Sequence, residues 1–174
     1  RLVANWGAKG YMVDLADMWD DTDKAEIFES LQDSCTNADG KVFEYPVCMI
    51  AHCMAVNVTR FEEAGVADVL DRENHTWTTE GFIKAVNALS ETNPNVAAIY
   101  CSGQGGDQGT RVLINNLYGG TFTNPEHTAY TVNSPENIKA LQLLVDLPGI
   151  NFDPAINGGE EIQLFRQGIL DMAF

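Results

Sequence analysis

The amino-acid sequence predicts an α/β fold, on three observations. Segments with helical spacing alternate with short apolar segments of strand length. Several of the helical segments open on a hydroxyl or Pro signal and close on Gly. Hydrophobic residues make up 45% of the 174 residues against 20% charged, the balance of a chain that buries a core.

From the start to about Cys35 the chain is acidic and helical in pattern, with Asp14, Asp17, Asp20, Asp21 and Asp23 clustered. A calcium loop of the EF-hand type would need a Gly and a distal Glu at set positions, and the Gly is not there. The cluster therefore reads as a solvated face with helix caps. Asn37-Ala38-Asp39-Gly40 is a turn signal, because Asp-Gly accepts positive φ at low cost. Lys41 to Tyr45 alternates as a strand does, Pro46 follows, and Val47 to Val58 is an apolar run long enough for a buried strand. Thr59 to Gly65 reads as a short helix with a C-terminal Gly.

Thr76-Trp77-Thr78-Thr79-Glu80 signals a helix start, and Phe82, Val86 and Leu89 follow at helical spacing, with Ile83 and Ala85 beside them. Asn93-Pro94-Asn95 breaks the chain and Ala97 to Tyr100 reads as a short buried strand. A glycine-rich loop, Gly103 to Gly109, feeds a helix carrying Val112, Leu113 and Leu117 that ends at Gly119-Gly120. Ser134-Pro135-Glu136 opens the next helix with a cap, a Pro at the first position and an acid at the positive end of the dipole. Its expected buried face is Ile138, Leu141 and Val145, and Pro148-Gly149 stops it. Glu160 to Gly168 is expected to be amphipathic through Ile162 and Phe165, leading into an apolar run, Ile169 to Phe174, that reads as an unfinished buried strand.

The formal net charge is −15, which repels phosphate backbones and anionic lipid headgroups alike and disfavours nucleic-acid binding by a basic face. No apolar run approaches the length of about 18 residues that a spanning helix requires. Cys35, Cys48, Cys53 and Cys101 form no C-x-x-C pair. In a regular strand Cys48 and Cys53 would point to opposite faces, so buried free thiols are expected, although all three pairings of four cysteines stay open.

Candidate chemistry is sparse. The Gly103 to Gly109 loop stands between a strand and a helix but lacks the Lys-Ser/Thr ending of a P-loop, and Gln108 occupies the place of the third Gly in a dinucleotide fingerprint. It reads as a polar loop lining a cleft beyond the carboxyl end of a strand. His52, His75 and His127 are far apart and none forms an H-E-x-x-H pair; no G-x-S-x-G elbow exists. Cys101 has no neighbouring His to activate it and reads as a core thiol. Trp6, Trp19 and Trp77 offer faces on which a pyranose could stack, with core packing the plainer use of Trp77. Asn57-Val58-Thr59 and Asn74-His75-Thr76 fit the glycosylation sequon.

The order of these pieces is more specific than any one of them. Gly40-Lys41-Val42-Phe43-Glu44-Tyr45-Pro46, an apolar segment, Asn57, Phe61-Glu62-Glu63-Ala64-Gly65 and Thr76-Trp77-Thr78-Thr79-Glu80-Gly81-Phe82 follow one another as in family 1 extracellular solute-binding proteins. Leu117-Tyr118-Gly119-Gly120 resembles that family's glycine pair after a cleft helix, and Ser134-Pro135-Glu136 to Asp146 its helix after the substrate loop. Phe165-Arg166-Gln167-Gly168-Ile169-Leu170-Asp171-Met172-Ala173 resembles its F-x-x-G-x-x-A-M segment, with Asp171 in place of the alanine before Met. Cys48 to Cys53 replaces the small polar residues usual in the hinge strand.

The resemblance implies a periplasmic-binding-protein-like (type II) lobe, mainly the C-terminal one with a remnant of the N-terminal lobe. By it, residues 1–47 end the N-terminal lobe, 48–53 form a hinge strand, and 54–174 form a truncated C-terminal lobe. It implies non-catalytic capture of a sugar or oligosaccharide and delivery to the permease subunits of an ABC importer, with no cofactor and no metal. The location implied is extracellular, as a periplasmic protein or a lipoprotein whose anchor lies outside this chain. Expected ligand-lining residues are His52, Tyr100, Asp107, Gln108 and Arg111. Each also has a structural use: His52 in a core, Asp107 as a cap, Arg111 as a solvated helix residue. Two other readings stand beside this one, a sensor or adhesion module for another small solute and a hydrolase fragment; the last would need two carboxylates converging in one pocket.

Overall fold

The computed structural model describes residues 6–37, 39–48, 53–99, 108–125, 128–152 and 160–173. The chain divides into two compact units, Arg1–Ala51 and His52–Phe174.

In the first unit, Asp20 caps α1 (Asp21–Glu26), its carboxylate accepting from the Thr22 and Asp23 amides while Asp23 reaches back to the Asp20 amide. Asp14 accepts from the Ala16 amide at 3.1 Å and from the Val42 amide at 3.3 Å. Three of the clustered acids, Asp14, Asp20 and Asp23, thus accept from backbone amides, and the last two do so as the caps expected of the cluster. Gln32 joins α1 to α2 (Glu29–Cys35) by donating to the Lys24 and Ile27 carbonyls, each at 2.8 Å. Trp19, Cys35 and Val42 form a small core with Leu15 and Ile27 against it.

The second unit is a four-stranded mixed sheet, β1 (Ala55–Val56), β2 (Ala97–Ile99), β3 (Ile150–Phe152) and β4 (Met172–Ala173), in the order β1-β4-β2-β3. β2 runs parallel to both β3 and β4, and β1 pairs antiparallel with β4. Helices α3 (Val58–Glu63), α4 (Thr79–Ser90), α5 (Gln108–Tyr118), α6 (Pro135–Asp146) and α7 (Glu160–Arg166) connect the strands. Phe61 of α3, Phe82, Ala85, Val86 and Leu89 of α4, Leu113, Ile114 and Leu117 of α5 and Ala140 and Leu144 of α6 meet Val96, Ala97 and Met172 in one core. Trp77 lies between Phe61 and Phe82, with ring centroids 6.1 and 5.4 Å away, so its indole is a packing element.

The caps fall where the sequence places them. Thr78 accepts from the Gly81 amide ahead of α4, and Ser134 accepts from the Asn137 amide ahead of α6 with Pro135 at its first position. Asn57 accepts from the Arg60 amide and starts α3, so its carboxamide in the Asn57-Val58-Thr59 sequon serves as a cap.

Several expectations are corrected. Val47–Val58 is not one buried strand among the described residues: Val47 is 92% exposed, pairing is confined to Ala55–Val56, and Val58 already belongs to α3. A capping Asn at position 57 turns the chain into a helix before an apolar strand could run on. Cys48 and Cys53 are free but exposed, and Cys35 is the one of these three that is buried; Cys101 lies outside the described residues. Lys41–Tyr45 contributes a single bridge, Val42 to Thr36. On α6 the buried face is Asn137, Ala140 and Leu144, while Ile138, Leu141 and Val145 are 56%, 45% and 65% exposed. The face turns by one residue because α5 and α6 pack closely, and small Ala140 permits the approach. On α7 the fully buried side chain is Glu161, with Ile162 and Phe165 only half-buried.

Candidate functional site

In an open α/β sheet the carboxyl ends of parallel strands bear the ligand, because the loops that leave them and the helix amino termini that follow converge there. In the second unit that edge is formed by the ends of β2, β3 and β4 at Ile99, Phe152 and Ala173. β2 ends at Ile99 and α5 begins at Gln108.

Of the five expected ligand-lining residues, Gln108 and Arg111 lie on α5. Arg111 is exposed within the first turn. His52, Tyr100 and Asp107 lie outside the described residues. Phe152, which sequence reasoning did not single out, closes β3 opposite Ile99 and is 41% exposed. It adds an apolar surface to the same edge. The signal for it was faint: β3 is three residues long and follows Pro148-Gly149 directly.

Behind α5 the chain is held by an internal polar anchor. The buried Asn137 amide donates to the carbonyls of Thr121, Val132 and Thr131 at 2.8, 3.2 and 3.4 Å. Gly120 presses against it so closely that a Cβ there would lie 2.1 Å from Asn137 Oδ1. The Thr79 hydroxyl donates to the Leu117 carbonyl and fixes the end of α5 to the start of α4. Lys139 Nζ sits 3.9 Å over the Tyr118 ring, adding a contact between α5 and α6. These contacts give α5 a rigid seat.

Asp68, Asp71 and Asp171 are each held by neighbouring side chains. Lys84 holds Asp68 at 2.8 Å, and that hydrogen bond keeps the Asp68 carboxyl below its ordinary range. Hydrogen bonds from Asn74 likewise hold Asp71 down, in the turn where Asn74-His75-Thr76 lies. Asp171 moves the other way: burial raises it, opposed by the Asn93 hydrogen bond and the Arg60 charge. Its side-chain partners are an amide and a guanidinium. The second converging carboxylate that a glycoside hydrolase needs is not among those partners. No group of His, Cys, Asp and Glu able to hold a metal occurs among the described residues. No helix among them is long and apolar enough to cross a membrane.

No protein-family model and no curated protein matches the chain. Solved structures do share its fold. The GacH receptor of Streptomyces glaucescens, studied unliganded and with acarbose and an acarbose homologue, aligns with a TM-score of 0.68 at 18% identity. That alignment covers 98% of this chain and 42% of the receptor chain. An ABC substrate-binding protein of Listeria monocytogenes, in complex with cycloalternan, aligns with a TM-score of 0.60 at 22% identity, over 96% of this chain and 43% of its own. The chain thus spans less than half the length of either structure. Its mixed sheet with covering helices is a periplasmic-binding-protein-like fold, as in those two sugar-binding proteins.

Proposed function

We propose that this chain is part of an extracellular, family 1 type solute-binding protein that captures a sugar or oligosaccharide without catalysis and delivers it to an ABC importer. The observation that carries the reading is the fold shared over nearly the whole chain with two proteins that bind acarbose and cycloalternan. The motif order from Gly40 to Ala173 supports it independently. Residues 54–174 then belong to the C-terminal lobe, 48–53 to a hinge and 1–47 to the end of the N-terminal lobe. The partners would be the sugar and the permease subunits, with a lipid anchor, where one exists, outside this sequence.

The chemistry needed is modest. A sugar ring requires donors and acceptors for its hydroxyls and an apolar surface for its C–H face. Arg111 and Gln108 supply the first at the amino end of α5, joined in this reading by His52, Tyr100 and Asp107. Phe152 at the end of β3 supplies the second. No bond in the ligand is broken, so neither a nucleophile nor an acid–base pair is called for.

Titration calorimetry of the chain against acarbose and a series of malto-oligosaccharides tests the proposal. We expect saturable binding, weakened about 5- to 10-fold in Phe152→Ala and in Arg111→Ala, a loss of roughly 1 kcal/mol each. Absence of binding to every sugar, together with tight binding of a polyamine or a metal ion, would overturn it.

A further inference from the structure

Asp171 has no part in the proposed capture of a sugar, yet it is a carboxylate in the protein interior. It is 1% exposed and stands where the chain enters β4, at the amino edge of the sheet, away from the strand ends that bear the candidate site. Its amide donates to the Val96 carbonyl at 3.0 Å, and its carbonyl accepts from the Asn57 amide at 2.9 Å. Its Oδ2 accepts from Asn93 Nδ2 at 3.0 Å, and that same nitrogen donates to the Ile169 carbonyl at 3.1 Å. One residue therefore joins three corners: β1 to α3, α4 to β2, and α7 to β4.

The second carboxylate oxygen, Oδ1, is buried and accepts no hydrogen bond. It faces Arg60 of α3, whose Nε is 3.9 Å away. Arg60 is half-exposed and also pairs with exposed Glu63, its NH1 nitrogen 3.4 Å from a carboxylate oxygen. The strands that flank β4 pair with it through Ala55, Val56 and Ala97, and the one charge acting on the Asp171 carboxyl among the described residues is Arg60. A lone buried charge with one amide hydrogen bond and one distant, shared cation is poorly compensated.

We propose that Asp171 and Arg60 form a proton-operated clasp at the amino edge of the sheet. With the proton on Asp171 the three corners hold tight and Arg60 stays with Glu63. When Asp171 ionises, the buried charge draws Arg60 inward, and the corner where Asn57 starts α3 loosens. The sign follows from the raised carboxyl. The stability it contributes is complete below the ordinary carboxylate value of 3.8 and is lost as pH rises through the folded-state value.

Thermal unfolding of the full chain at about pH 4 and about pH 8, on either side of the carboxylate range, tests the clasp. At the higher pH, Asp171→Asn should unfold about 2–4 °C above the parent, and the gap should shrink at the lower pH. Arg60→Gln should lower the midpoint more at high pH than at low, and this pH-dependent part should vanish in the double variant. A gap between Asp171→Asn and the parent that is equal at both pH values overturns the proposal, as does an Arg60→Gln effect that persists unchanged without Asp171. Should Asp171→Asn fail to fold, Arg60→Gln alone decides, and equal losses at the two pH values count against the clasp.

Discussion

Asn137 and Gly120 show how much a single pair can determine. Asn137 is a polar residue on the buried face of α6, tolerated there because its NH₂ group reaches three main-chain carbonyls of the preceding segment. Gly120 is the one residue type that fits beside it, since any Cβ would overlap the amide oxygen. Asn137→Ala should remove the donor to the Val132 carbonyl and the added donor to the Thr121 and Thr131 carbonyls, which keep the Thr131 hydroxyl and the Ser134 amide, and cost about 1–3 kcal/mol. Gly120→Ala should cost a similar 1–3 kcal/mol, roughly, through overpacking. Because both act at one contact, the Gly120→Ala penalty should fall in the Asn137→Ala background; urea midpoints of the four proteins measure the coupling. Sequence reading marked Gly119-Gly120 as a helix stop and passed over Asn137. An isolated Asn in an amphipathic pattern carries no sign of which carbonyls will come within reach.

At the scale of elements, caps and stops were the most legible features and faces the least. Thr78, Ser134 and Pro135 start their helices where local chemistry says they must, since the signal and its effect lie within one turn. The face of α6 was misjudged because Ile138, Leu141 and Val145 repeat at helical spacing as well as the true core positions do. Burial there is decided by how near α5 comes, which is a property of two helices together. We expect Leu144→Ala to cost about 2–5 kcal/mol and Leu141→Ala at most about 0.5 kcal/mol in chemical unfolding. The apolar run Val47–Val58 illustrates a conflict within one sequence. Asn57 held the cap signal that ends it, but hydrophobic length pointed to a strand.

For the whole molecule, the α/β class was legible because strand and helix patterns alternate along the chain, as Ala97–Ile99 and α5 do. Phe152 was not, since a three-residue strand is too short to display alternation. The main core draws on residues from Phe61 to Met172, all within the second unit. A chain lacking residues 1–51 should therefore keep a cooperative thermal transition followed by circular dichroism, and a broad, non-cooperative melt would contradict this. The tryptophans divide along the same line: Trp6 and Trp19 lie in the first unit and Trp77 in the second, between two phenylalanine rings. Replacing Trp6 and Trp19 by Phe would leave one indole whose emission reports on the larger unit alone. Replacing Trp77 instead would make fluorescence a private signal of the smaller one. The distribution of three aromatic rings thus equips the chain with a separate optical channel for each of its compact parts.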